Sequence, residues 1–280
     1  KPPNSNWIEK LVITSKKNNY QINFAKIDIA NYLYENVWSK VAGAVITSAT
    51  LSTLGNFNKI NKQLGLNKDL NKYLRLNSPF DNKLVKFIIA KMQFSPKNAL
   101  QHTQELAEQL IKRINPTEAT LVIFASNNQM HNVLDLVEKE IDCQILVQGQ
   151  FNKKTILEKH KKLRAQGNGS IIFGLDSFAE GVDLKGDNLN NVMLAKLRFN
   201  VPTSPIEKTK YLYLESVGKN SFMEISLPNA SLKLIQACGR LIRTEKDFGT
   251  ITIFDNRITE KFYGKYLLKN LPKYEFIIEQ

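Results

Sequence analysis

The sequence predicts an α/β protein whose parallel sheet carries helices on both faces, and three observations lead there. Short apolar runs of strand length alternate with amphipathic stretches of ten residues or more. The runs are flanked by turn-forming residues, and they read as continuously apolar rather than alternating, as strands buried on both faces do. Apolar residues make up 42% of the 280 residues and charged residues 23%, an ordinary globular balance with enough material for a sizeable core.

Taken in order, residues 9–14 and 20–25 read as a hairpin turning at Lys16-Lys17-Asn18-Asn19. Asp28 is placed to cap a helix over 29–39, where Leu33, Val37 and Trp38 recur at helical spacing. Gly43-Ala44-Val45-Ile46-Thr47 reads as a buried strand, and residues 57–66 as a helix closed by Gly65. Asn77-Ser78-Pro79-Phe80-Asp81 reads as a break, dividing the chain into residues 1–77 and 78–280. Beyond it, strands are expected at 85–90, 119–125, 144–147, 170–174, 192–196 and 250–254. Helices are expected at 99–114, 129–140, 154–166 and 232–242, a long Pro- and Tyr-bearing insertion precedes the last of these, and a helical tail begins at Thr259.

Lys plus Arg exceed Asp plus Glu by 39 to 26, a net charge of +13 that favours an anionic partner, nucleic acid above all. A general bias toward Lys and Asn, which the sequence shares, is the alternative source of such an excess. Cys143 and Cys238 stand far apart and form neither a zinc motif nor a disulfide framework, which fits a reducing cytosolic setting. No apolar run reaches membrane-spanning length, and the start lacks the apolar core of a signal peptide. The absence of an initiator Met leads to the expectation that the chain is part of something longer.

In open parallel sheets, chemistry collects where loops leave the carboxyl ends of strands. Ser126 and Asn127 follow one strand and open a helix whose free N–H groups suit an anion, or simply cap it. Ser177, Glu180, Gly181 and Asp183 follow another, where acids can meet a ribose hydroxyl or a phosphate-bound cation, or merely form a turn. Ser48, Ala49 and Thr50 follow a third; small hydroxyl side chains there say little alone. Gln236, Arg240 and Arg243 lie at i, i+4 and i+7 of the helix predicted over 232–242 and just beyond it, so they project along one stripe. Planar guanidinium groups one turn apart suit phosphate oxygens, although a solvated helix face has the same spacing.

The order of these motifs is more specific than any one of them. Thr-Ser-Ala-Thr-Leu, Ile-Phe-Ala-Ser, Phe-x-Glu-Gly-Val-Asp and Gln-x-x-Gly-Arg-x-x-Arg resemble motifs III, IV, V and VI of superfamily 2 helicases, in the DinG branch of the XPD-like family. Supporting matches run through Ser78-Pro79-Phe80-Asp81, Gln148-Gly149, Val201-Pro202, Leu227-Pro228, Asp255-x-Arg257 and Tyr263-Gly264. The resemblance implies a RecA-like second motor domain over 78–280, and before it the end of an arch insertion and the last segment of the first motor domain. It implies that Arg240 and Arg243 act as arginine fingers on ATP and that Gln236 positions the attacking water. Glu180, Gly181, Asp183 and Gly239 would lie at the nucleotide; Ser126, Asn127 and Ser177 would face single-stranded DNA. Ser48, Ala49 and Thr50 would couple hydrolysis to domain movement.

No G-x-x-x-x-G-K-[ST] loop and no D-E-x-H pair occur in the sequence, so the chain by itself is not expected to hydrolyse ATP. ATP, Mg2+ and a 4Fe-4S cluster are implied only for the full-length protein, the cluster being held upstream, and no metal site is expected within these residues. The expected partners are single-stranded DNA and the missing first motor domain, in a monomeric cytosolic protein working 5′ to 3′ in repair or replication. A nucleic-acid-binding module that never meets ATP is the alternative; a dinucleotide enzyme is disfavoured because no G-x-G-x-x-G follows a strand.

Overall fold

The structure, a computed structural model, describes residues 2–14, 17–76, 80 and 82–280. Its backbone contacts divide the chain into two compact units, one made of Lys1–Arg75 with Phe199–Ala230 and the other of Leu76–Arg198 with Ser231–Gln280. Among the described residues no helix is long and apolar enough to cross a membrane.

The first unit begins with an antiparallel hairpin of β1 (Asn4–Thr14) and β2 (Lys17–Lys26), with Ile8 opposite Ile22 and a register shift between Val12 and Thr14. The strands extend further than the alternation indicates: Asn18 and Asn19, read as turn residues, pair opposite Val12 and Leu11, while Lys16 lies outside the described residues. Asp28 Oδ1 accepts from the Ala30 amide at 2.9 Å, starting α1 (Ala30–Asn36), which gives way to a 3-10 turn at Trp38–Lys40. α2 (Asn58–Leu64) ends at Gly65, whose φ of 68° is left-handed and whose missing Cβ would stand 2.2 Å from the Ala30 carbonyl oxygen. Only glycine fits there.

Residues 43–47, expected to form a buried strand, do not. Val45 is 94% exposed and Ile46 40%, and no described strand pairs with them. A strand buried on both faces exists only when neighbours supply hydrogen bonds and cover, and among the described residues this segment has no ladder partner and little cover.

The second unit is a seven-stranded parallel sheet in the order β5-β6-β4-β7-β8-β3-β9. In sequence these elements are β3 (Val85–Ile89), α3 (Ala99–Arg113), β4 (Ala119–Ile123), α4 (Asn127–Val137), β5 (Ile145–Val147), α5 (Lys153–Ala165), β6 (Ser170–Gly174), the four-residue α6 (Asp176–Ala179) and β7 (Asn191–Leu194). The insertion that follows contributes α7 (Pro205–Ser216) to the first unit. There Ser204 and Glu207 close a capping box, and Thr209 Oγ1 donates to Ser5 Oγ at 3.0 Å. One turn of π-helix at Phe222–Ser226 precedes α8 (Leu227–Cys238), close to Pro228, whose missing N–H removes a helix bond. β8 (Gly249–Ile253), α9 (Arg257–Glu260), α10 (Gly264–Lys269) and β9 (Glu275–Ile278) complete the chain.

The helical tail expected from Thr259 is thus two short helices and an edge strand. β9 runs parallel to β3 with Phe276 opposite Phe87, and four residues are too few for a periodic signal. Most of the predicted break at 77–81 lies outside the described residues.

Strand order fixes the layers. The connections from β3 to β4 and from β4 to β5 step one way along the sheet, whereas those from β5 to β6, β7 to β8 and β8 to β9 step the other way. Right-handed crossovers then put α3 and α4 on one face and α5, α8 and α10 on the other. Under α3 and α4, Leu106, Leu110, Met130 and Val133 pack with Phe124 and Phe173 of the sheet, the two rings 5.0 Å apart. The direction switches between the adjacent strands β4 and β7, so the crevice beyond their carboxyl ends is where this topology builds a binding site.

Candidate functional site

Three loops meet the sheet at or beside that switch point: residues 124–126 after β4, 175–183 around α6 after β6, and 195–198 after β7. The loop around α6 is the most heavily bonded. α6 has four residues, far fewer than a helix needs to stand unsupported. Lys153 at the start of α5 donates to the carbonyls of Ser177 and, at 2.7 Å, of Glu180. Gln148 Oε1 accepts from the Leu175 amide at 2.8 Å and from Ser177 Oγ at 3.1 Å. Gly181 turns the chain with φ at 65°.

At the end of this loop Val182 presents its carbonyl to both arginines: Arg240 Nη1 donates to it at 3.0 Å and Arg243 Nη2 at 3.2 Å. The predicted helical stripe does not bring them there. α8 ends at Cys238; the Arg240 amide then bonds the Ala237 carbonyl and the Leu241 amide the Cys238 carbonyl, tightening the turn to three-residue spacing. Gly239 lies in this tightened turn, and Arg240 Nε returns to the Gln236 carbonyl at 3.1 Å. Burial first, and the Arg243 charge second, pull the Arg240 guanidinium below its ordinary pKa, with Glu180 and Asp183 only partly opposing this. Arg243 Nε is buried with no hydrogen-bond partner among the described residues. Two guanidinium groups sharing one neutral carbonyl, one of them with an unused donor, form a site that an anion would complete.

Three aspartates that the sequence reading did not single out as site residues hold these loops. Asp247 accepts from the amides of Arg243 and Thr244, both at 2.6 Å, from Thr244 Oγ1 at 2.8 Å and from the Gly186 amide at 3.0 Å, joining the arginine turn to the end of the α6 loop. Burial raises its pKa but these bonds outweigh it, so the carboxyl is held below its usual range. Asp255 accepts from the Leu197 amide at 2.8 Å and from Arg257 Nη2 at 2.6 Å. Asp176 accepts from Arg198 Nη1 at 2.6 Å and Lys233 Nζ at 2.5 Å. Their partners lie 22 to 61 residues away in all but the local bonds, so no spacing rule could have revealed them.

The remaining predicted residues divide. Ser126 caps α4, accepting from the Gln129 amide at 3.4 Å, and Asn127 is exposed on the first turn. Glu180, Asp183 and Ser177 are exposed around the loop; Asp183 pairs with Lys185 at 3.4 Å. A cleft of about 510 Å3 opens beside Gly181, lined by Lys153, Lys154, Leu157, Glu158 and Lys161, and it is predominantly basic. Ser48, Ala49 and Thr50 belong to the other compact unit, where Ser48 Oγ and Thr50 Oγ1 lie 3.3 Å apart. Among the described residues no three His, Cys, Asp or Glu side chains converge as metal ligands would. Cys238 is fully buried, with its thiol pushed up to about 12 by that burial.

Two buried histidines are expected to give the unit a pH dependence. His160 Nδ1 meets Ser170 Oγ at 2.9 Å and Nε2 donates to the Asn188 carbonyl at 2.8 Å, so the neutral ring uses both nitrogens. Burial is the largest cause lowering the pKa of both His160 and His102. A depressed folded pKa adds stability above the unfolded value of about 6.5 and loses it as pH falls below that. The melting temperature is therefore expected to fall between about pH 7.5 and pH 5.5, and His160→Gln to flatten that slope. An unchanged slope in the variant would remove His160 from this account.

The comparisons with known proteins follow the same lines. Residues 107–274 match the model of the helicase C-terminal domain. Over 99% of this chain and 40% of its own length, the ATP-dependent DNA helicase DinG of Photobacterium profundum is 39% identical. The DinG of Escherichia coli K12 is 37% identical over 91% of this chain and 36% of its own length. This chain thus spans about 40% or less of the length of these relatives. Among solved structures, an XPD helicase matches with a TM-score of 0.59 at 16% identity, over 91% of this chain and 46% of that one. The S. tokodaii Xpd4 structure also gives 0.59 at 16% identity, over 95% of this chain and 51% of that one. Those two likenesses establish a RecA-like α/β fold.

Proposed function

The chain belongs to the helicase C-terminal domain family, and from that premise we propose that it is the second motor domain, with the end of the first, of an ATP-dependent DNA helicase of the DinG type. The full-length protein would move 5′ to 3′ along single-stranded or forked DNA in the cytosol, in repair or replication. The observation that carries this reading is the pair Arg240 and Arg243 on the Val182 carbonyl, with Arg243 Nε buried and unpartnered. That arrangement suits the γ-phosphate of a nucleotide, whose transfer is catalysed chiefly by positioning and by fixed positive charge. Gln236 would orient the attacking water, and Glu180, Gly181, Asp183 and Gly239 would line the nucleotide side. Ser126, Asn127 and Ser177, the last of these bonded through its carbonyl to Lys153 of the basic cleft, would face the DNA backbone.

Residues 1–77 are assigned to the end of the arch and the last piece of the first motor domain, including Ser48-Ala49-Thr50. The exposed apolar segment around Val45 supports this, because it has the composition of a buried strand and pairs with no strand among the described residues. An iron–sulfur cluster does not fit the residues present, since Cys143 and Cys238 join no ligand group among the described residues and Cys238 is held as a thiol. The cluster, Mg2+ and the phosphate loop, which the family resemblance implies for the full-length protein, would lie outside this chain. Net charge alone would also serve a binding module without nucleotide, but it gives no account of the unpartnered Arg243 Nε.

The full-length protein is expected to hydrolyse ATP when single-stranded DNA is added. The 280-residue chain alone is expected to bind single strands in a salt-sensitive manner without turnover. Turnover by the chain alone would overturn the division of labour, and none by the full-length protein would overturn the helicase reading.

A further inference from the structure

Asp176 sits at the carboxyl end of β6 as the first residue of α6. One oxygen takes Arg198 Nη1 at 2.6 Å, from the loop after β7, and the other takes Lys233 Nζ at 2.5 Å, from α8. Arg198 is only 6% exposed and also donates to the Lys233 carbonyl, so it needs a counter-charge and has one in Asp176. Burial opposes ionisation of Asp176, yet the Lys233 bond and the Arg198 charge outweigh it and hold the carboxyl below its usual range.

These bonds close a ring. From Asp176 the chain runs through α6 to Val182; the Val182 carbonyl binds Arg240 and Arg243; and α8, which leads into Arg240, returns through Lys233 to Asp176. The ring has two polar joints, one at Val182 and one at Asp176. If the arginines leave the Val182 carbonyl for an anion, the joint at Asp176 remains to keep the 177–183 loop in step with α8. We infer that Asp176 is a positioning residue whose link to Lys233 and Arg198 ties the DNA-facing loop to the helix that carries the nucleotide-facing arginines. Through it, strand binding at the loop is felt at Arg240. The inference rests on the proposed roles of Arg240, Arg243 and the 177–183 loop.

The test uses the full-length protein and reads the stimulation factor, the ratio of ATP turnover at saturating single-stranded oligonucleotide to turnover without it. Asp176→Asn keeps the shape and removes the charge, and it is expected to cut that factor about tenfold. DNA-free turnover should change by less than about twofold, and the melting temperature should fall by several degrees because buried Arg198 loses its counter-charge, so both rates are read well below the lowered midpoint. Lys233→Met, which leaves the Asp176–Arg198 pair intact, should show the same kind of loss; Lys233→Arg should retain the wild-type factor. Combining Asp176→Asn with Lys233→Met should add little to the worse single variant, as for two ends of one link. An unchanged factor in Asp176→Asn and Lys233→Met would overturn the inference. So would a parallel fall of both rates that leaves their ratio unchanged, which would mark a plain structural brace. Because Arg240→Ala is measured in the same assay, an inactive Arg240→Ala beside an unaltered Asp176→Asn would reject this inference alone. Wild-type turnover in Arg240→Ala would instead reject the nucleotide-facing assignment.

Discussion

Arg240→Ala in the full-length protein is expected to lower DNA-stimulated ATP turnover by about 1,000-fold or more, the range over which arginine fingers act. Affinity for single-stranded DNA should stay within about threefold, because sequence-independent binding is spread over many phosphate contacts. Protein stability should change little. Arg240 is partly buried beside Arg243, and burial followed by that neighbouring charge already disfavours its charged form. Removing it relieves a repulsion while losing bonds to two carbonyls, those of Gln236 and Val182. Arg240→Lys should recover only a small part of the turnover, since an ammonium cannot reproduce a planar fork that reaches two acceptors. Steady-state turnover with and without oligonucleotide, read beside fluorescence anisotropy of a labelled strand, separates the two properties. Turnover at the wild-type level would end the assignment of Arg240 to the nucleotide.

Arg240 and Arg243 were legible in the sequence as a pair, but their geometry was not. The i, i+4, i+7 stripe presumes a helix continuing through Arg243, whereas α8 stops at Cys238 and the chain tightens at Gly239. What converges the two side chains is the Val182 carbonyl and the Asp247 carboxylate, neither of which has a local pattern. The sheet was easier to read, because β4 and β6 are runs buried on both faces, β7 and β8 are buried over most of their length, β3 is apolar but for Lys86, and long helices or loops separate them. Its last strand was not, since β9 is a four-residue edge strand that acquires its identity only by lying against β3. Residues 43–47 fail in the opposite sense: their composition is that of a strand, but pairing requires a neighbouring strand, and none of the described residues supplies one. The Asp176, Arg198 and Lys233 cluster brings three chain segments to one carboxylate, which only the folded topology specifies.

Asp255→Ala is the substitution expected to cost most in stability, about 3–5 kcal/mol, the range for breaking a buried ion pair from one side. Asp255 is fully buried at the carboxyl end of β8. Its Oδ1 accepts from the Arg257 amide at 3.1 Å and from Arg257 Nε at 2.8 Å. Its Oδ2 accepts from Arg257 Nη2 at 2.6 Å and from the Leu197 amide at 2.8 Å. Alanine would leave the Leu197 amide without this acceptor and the Arg257 guanidinium without this counter-ion in a setting that water reaches poorly. Asp255→Asn should cost less, because it keeps one acceptor oxygen while losing the charge. Urea unfolding of the chain followed by circular dichroism measures both, and a midpoint for Asp255→Ala within about 0.3 M of the wild type would contradict the expectation. The effect should also reach the site. Leu197 immediately precedes Arg198, so releasing its amide loosens the strand end from which Arg198 reaches Asp176. Asp255→Ala protein that remains folded at low temperature is therefore expected to show a reduced stimulation factor as well, whereas a variant altered only in stability would keep it.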